Sequence, residues 1–222
     1  MKSKGNYYWL LIFIPLVFLA WFLYNKKEHK PLRTLAYFGR KASMKQGDTT
    51  YHTVKPFLFI NQYNEKVTEE TVKDKIYVTD FFFTTCQSIC PVMSNQLELV
   101  YKKFRNTKDV MILSHTVAPE EDSVNVLMDY AKLHGVNDKQ WLFLTGDKKH
   151  LYDMARQGYL LNAEEGKGDE DDFIHTQNFA LVDKERHLRG FYDGTDSLEV
   201  ARLITDMGIL LDEYRYKEKQ KN

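Results

Sequence analysis

Residues Lys75 to Pro91 read KIYVTDFFFTTCQSICP. The first nine, Lys75 to Phe83, are β-branched and aromatic, as a buried strand requires, and Pro91 to Arg105 (PVMSNQLELVYKKFR) carries apolar residues at helical spacing. The only two cysteines, Cys86 and Cys90, stand between strand and helix. Downstream the same alternation continues. A strand is predicted at Val110 to Val117, and a helix from Asp122 to His134 with Val126, Leu127, Tyr130 and Leu133 on one face. Next come a strand at Trp141 to Leu144, ending at Thr145-Gly146, and a helix from Lys148 to Gly158. Asn178 to Val182 and Leu188 to Tyr192 read as a hairpin, and Ser197 to Tyr216 as a closing amphipathic helix. This order implies an α/β sheet with helices on both faces.

Upstream, Asn6 to Tyr24 (NYYWLLIFIPLVFLAWFLY) holds no charged residue. As a helix these 19 positions span roughly 28 Å, close to the hydrocarbon thickness of a bilayer. Tyr7, Tyr8 and Trp9 at one end and Trp21 and Tyr24 at the other suit the two interfaces. Trp21, Phe22 and Leu23 stand where a signal peptidase needs small residues, so the segment is read as a retained anchor. Lys26, Lys27, Lys30 and Arg33 outnumber Lys2 and Lys4, which by the charge rule alone favours a cytoplasmic body. The expected organisation is a tail over 1–5, a transmembrane helix over 6–24, a tether and lead-in over 25–53, one domain over 54–216 and a frayed end over 217–222. The 222 residues balance 31 Lys and Arg against 31 Asp and Glu, which disfavours nucleic acid as a partner. Glu164 to Asp172 (EEGKGDEDD) reads as a solvated loop without the ligand spacing of a calcium site.

A thiol at a helix N-terminus meets unsatisfied N–H groups and the positive end of the helix dipole, both of which favour the thiolate. Pro91 suits a first helical turn. Three readings of the pair stay open. A structural disulfide would close only a short loop. A redox dithiol fits the strand-cysteine-helix arrangement of thioredoxin, although three residues intervene here and not two. A metal site fits best, and two thiolates without further cysteines suit copper(I) better than a structural zinc. Among the seven histidines, His175 stands out because it closes the acidic loop directly before the strand at Asn178. His115, inside a predicted strand, is the competitor.

These residues resemble the Sco/SenC family, thioredoxin-fold copper proteins used in assembling cytochrome c oxidase. Phe81 to Pro91 (FFFTTCQSICP) looks like the family's F-x-F-T-x-C-x-x-x-C-P signature, Thr116 to Asp122 (TVAPEED) is similar to its second motif, and Leu144-Thr145-Gly146 to a third. Ile174-His175-Thr176 occupies the place of the family's histidine ligand. The resemblance covers Pro56 to Met207 and implies a thioredoxin-like sheet with Cys86, Cys90 and His175 as ligands for Cu(I) or Cu(II). Ser88 and Ala118 stand where many members carry an acidic residue. The implied function is a membrane-anchored metallochaperone that delivers copper to a terminal oxidase subunit or its assembly factors. Family members place the body outside the bacterial cytoplasmic membrane, and this is preferred over the charge rule. The alternative is a tethered thiol-disulfide oxidoreductase that keeps acceptor cysteines reduced. A redox or copper sensor is a third possibility.

Overall fold

The computed structural model describes residues 13–18, 21, 33–39, 42–43, 49–161 and 176–221. The chain divides into two compact units, 1–33 and 34–222. In the first, residues 13–18 are helical and Phe13, Ile14, Leu16, Val17 and Phe18 are exposed. Among the described residues no helix is long and apolar enough to cross a membrane. Most of the anchor predicted over 6–24 lies outside them.

In the second unit a short ladder pairs β1 (Ala42–Ser43) with β2 (Thr49–Thr50). The main sheet comprises β3 (Leu58–Asn61), β4 (Lys66–Thr68), β5 (Ile76–Phe82), β6 (Val110–Thr116), β7 (Trp141–Thr145), β8 (Asn178–Val182) and β9 (Leu188–Asp193). Its order is β4-β3-β7-β6-β5-β8-β9. The central strands β5, β6 and β7 are parallel, and the outer pairings are antiparallel. Every residue of β5 and β6 is buried, as expected of strands covered on both faces. The helices are α1 (Ile89–Phe104), α2 (Val124–Leu133), α3 (Lys148–Asp153), which runs on into one π turn at Met154–Gly158, and α4 (Ser197–Lys221). α4 continues through most of the expected frayed end, because Lys, Glu and Gln form helix well and no breaker intervenes.

Side chains alternate across the sheet and build two cores. Ile76, Val78 and Phe82 of β5 pack with Met93 and Leu97 of α1, Leu127 of α2 and Leu203 of α4. Tyr77 and Phe81 face the other way, toward Phe59, Leu151 and Tyr159. Both cysteines belong to the first core.

The lead-in is not a free tether from Thr34 onward. Phe38 donates its N–H to the Leu188 carbonyl at 2.9 Å. The buried Arg189 guanidinium donates to the carbonyls of Leu35 (2.8 Å) and Ala36 (3.1 Å), pairs with Asp183 and Glu213 at 3.0 Å each, and lies 4.1 Å from the Tyr37 ring centre. Glu213 in turn accepts the Leu35 N–H at 2.6 Å. Two carboxylates and two carbonyls thus meet one buried guanidinium, whose planar fork matches them, and the chain enters the unit at a fixed point on β9.

Candidate metal centre

β5 ends at Phe82, and five irregular residues lead to Ser88, the residue preceding α1. Ser88 makes no capping bond with its side chain, and the first turn of α1 has no acidic residue. The Cys86 sulfur occupies the vacant role. The N–H groups of Ser88 and Cys90 and the thiol of Cys90 point at it, and the Ser88 hydroxyl lies 3.5 Å away. Burial works against a charge on Cys86, but these donors prevail and bring its pKa down to about 7. Cys90 is pushed up to about 12, by burial first and then by its hydrogen bond to Cys86. Both thiols are free. Cys86 lies in the turn before α1 and Cys90 is the second residue of that helix, so the two do not share one helix face.

The turn is held from behind by Asp122, which is buried. Its carboxylate accepts the Thr84 N–H at 3.3 and 3.4 Å, the Thr84 hydroxyl and the Thr116 hydroxyl. Thr116 Oγ1 accepts the Ala118 N–H at 2.9 Å. One carboxylate therefore ties the cysteine turn to the end of β6. Under the pair on the same sheet face lies Asp80, which accepts from Ser114 at 2.5 Å, while Ser114 accepts from the Trp141 indole at 2.9 Å. Burial raises Asp80 to about 7 against the opposing Ser114 bond, and its charge is one of the smaller influences raising Cys90.

Cys86, Cys90, Phe82, Ile89, Val117 and Thr176 line one small cleft at the carboxyl end of β5. That edge is the usual ligand side of an open α/β sheet.

A family model described as SCO1/SenC matches residues 45–207. The chain belongs to the SCO1/SenC family. The SCO1 protein homolog of Bacillus subtilis (strain 168) is 30% identical over 162 residues, covering 72% of this chain and 83% of that protein. The structure of BsSco, described as having a disulfide switch and as a member of the Sco family of cytochrome c oxidase assembly proteins, is 30% identical. It matches with a TM-score of 0.60 over 70% of this chain and 91% of that one. Arabidopsis thaliana ScoI with copper bound is 23% identical, with a TM-score of 0.56 over 70% of this chain and 98% of that one, and shares the fold.

In this Sco domain the predicted ligands fare differently. Cys86 and Cys90 come together, whereas His175 lies outside the described residues, with its neighbour Thr176 buried in the wall of the cysteine cleft. His115 is no competitor. It lies next to Ser114 on β6 and so faces the opposite core, packed on Phe59, Phe81 and Tyr159, with Nδ1 3.1 Å from the Thr79 hydroxyl. Burial lowers its pKa to about 3. His134, at 3.0 Å from Glu98, and His187, between Thr53 and the His52 carbonyl, are engaged structurally. Among the described residues no group of three His, Cys, Asp or Glu is placed to hold a metal. Sequence reading missed the roles of Asp122, which stood inside a quoted motif, and of Asp80, whose signal was one carboxylate in an apolar strand.

The split between the thiols makes alkylation of the reduced protein pH-dependent in a stated sense. Below pH 7 Cys86 is protonated and reacts slowly; above it the thiolate dominates, so iodoacetamide modification is expected to reach half its maximal rate near pH 7. Cys90 is expected to stay protected until strongly alkaline pH. Peptide mapping of the alkylated sites across pH checks this, and a common midpoint near the ordinary thiol value of 9.0 contradicts it.

Proposed function

We propose that this chain is a membrane-anchored copper-binding assembly factor that carries copper, as cargo, to a copper centre of a terminal oxidase. Residues 6–24 hold it in the cytoplasmic membrane by a single pass, with the Sco domain on the extracytoplasmic side. Cys86 and Cys90 supply soft thiolates, and His175 supplies a borderline nitrogen that matters more for Cu(II) than for Cu(I). The observation that carries the reading is the pair of free thiols at an uncapped helix start, in a cleft whose wall includes the residue next to His175. Family membership and the oxidase-assembly role described for BsSco support the destination.

The test is anaerobic copper titration of the fully reduced full-length protein. One copper per chain is expected, and no binding overturns the proposal. His175→Ala is expected to weaken Cu(II) more than Cu(I) and to change the Cu(II) spectrum; an unchanged spectrum removes His175 from the site.

The oxidoreductase reading is favoured by one observation, the unequal thiols. Cys86 thiolate would attack an acceptor disulfide and release one acceptor thiolate. Cys90, after giving up its proton to solvent, would then attack the Cys86 sulfur and release the second. The acceptor is reduced and the Cys86–Cys90 pair oxidised. Fast exchange with a peptide disulfide by a protein that ignores copper would establish this role in place of the first.

A further inference from the structure

We propose that the end of the sheet opposite the cysteines is a docking surface for anionic phospholipid headgroups. A concave surface of about 550 Å³ lies where β5, β6 and β7 begin, lined by Lys66, Lys75, Arg105, Lys108 and Lys139. The facing acids Glu65 and Asp138 are already engaged, with Lys139 at 2.6 Å and with Arg105 at 3.7 Å. Among the described residues no carboxylate pairs with Lys66, Lys75 or Lys108, and Lys66 and Lys108 are exposed. The Lys75 ammonium donates only to the Lys108 carbonyl, at 3.1 Å. The concavity is therefore a cationic surface with three uncompensated charges.

The same pole receives the chain. Phe38 is bonded to Leu188, Leu188 is opposite Val182, and Val182 is opposite Tyr77 at the start of β5. Lys184, in the turn between β8 and β9, pairs with Asp109 at 2.9 Å on the rim of the basic surface. The inference rests on the anchor proposed above. Nine residues separate Tyr24 from Thr34, so an anchored chain keeps its domain at high effective concentration beside the lipid. Lysines near an anionic leaflet are attracted to it within about a Debye length. The cysteine turn, at the other end of the seven-residue β5 and roughly 20 Å away along the strand, is then left facing away from the lipid, open to a partner protein.

The experiment uses the full-length protein on vesicles of phosphatidylcholine alone and of phosphatidylcholine and phosphatidylglycerol in equal parts. Flotation is scored first, and then the rates at which an amine-reactive reagent modifies Lys66, Lys108 and, as a control at the cysteine pole, Lys148. Lys66 and Lys108 are expected to react at least about fivefold more slowly on the anionic vesicles, with protection lost in high salt and in a K66E/K108E variant, and with Lys148 unchanged. Equal rates on both vesicles, in protein that floats with both, overturn the docking surface and leave the anchor standing. Failure to float with the neutral vesicles overturns the anchor and the docking surface together. Protection by inorganic phosphate without lipid also overturns it, because the surface would then be a pocket for a free anion.

Discussion

Cys90→Ser is expected to abolish copper retention while leaving a reactive thiol in place, and Cys86→Ser to abolish both. Serine offers a hard, protonated oxygen where Cu(I) needs a soft thiolate, so either change leaves one sulfur donor in the proposed two-thiolate site. The substitution is close to isosteric. Both positions are buried, 8% exposed for Cys86 and 4% for Cys90, and a new buried hydroxyl costs about 1–2 kcal/mol, too little to unfold a typical domain. The asymmetry follows from the donors. In Cys90→Ser the Cys86 sulfur loses the Cys90 thiol, the strongest of its donors, but the introduced hydroxyl can donate in its place and the Ser88 hydroxyl and the N–H groups of residues 88 and 90 remain, so it still alkylates below the ordinary thiol range. In Cys86→Ser the remaining thiol is the deeper one, held protonated chiefly by burial. Copper content after passage over a chelating resin, with circular dichroism to confirm folding, reads both results. A Cys90→Ser protein that keeps one copper would show that the two-thiolate centre is not the site.

What the sequence reveals here depends on how local the cause is. β5 and β6 are legible because strands covered on both faces are apolar throughout, and α1 because its buried stripe recurs at helical spacing. The cysteine turn is legible for the same reason, since its position between strand and helix is written in consecutive residues. The β3–β4 hairpin, for which the sequence analysis makes no claim, has strands of four and three residues with Leu58 half exposed, and it turns through Asn64 at a positive φ of 59°. Such short, partly solvated strands carry almost no periodic signal. The lead-in fails differently. Nothing within residues 25–53 announces that Leu35 to Tyr37 are held by an arginine more than 150 residues later, and Arg189 reads as an ordinary surface charge until its partners Asp183 and Glu213 are placed around it. His115 was open to exclusion by parity, because neighbouring strand residues face opposite cores and Ser114 takes the cysteine side.

Asp122→Ala is expected to lower stability by about 3 kcal/mol and to loosen the proposed copper site without touching a proposed ligand. Its carboxylate satisfies the Thr84 N–H, the Thr84 hydroxyl and the Thr116 hydroxyl in a place closed to water. Truncation orphans these donors together, and each buried unsatisfied group costs about 1–3 kcal/mol, partly recovered by relaxation or an entering water. Relaxation must occur at Thr84, two residues before Cys86, because Thr116 is fixed in the β6 ladder opposite Phe82. The loss therefore converts into freedom of the turn that aims the N–H groups of residues 88 and 90 at the Cys86 sulfur. Two readouts separate this positioning role from simple destabilisation. In the folded variant the alkylation midpoint of Cys86 is expected to move up from about 7 toward 9.0 as those donors drift, and copper dissociation to quicken at a temperature well below the unfolding transition. Asp122→Asn, which keeps one acceptor oxygen, is expected to fall between the variant and the parent in both. If Asp122→Ala lowers the melting temperature but leaves the Cys86 midpoint and the copper off-rate unchanged, the carboxylate supports the fold and plays no part in shaping the cysteine turn.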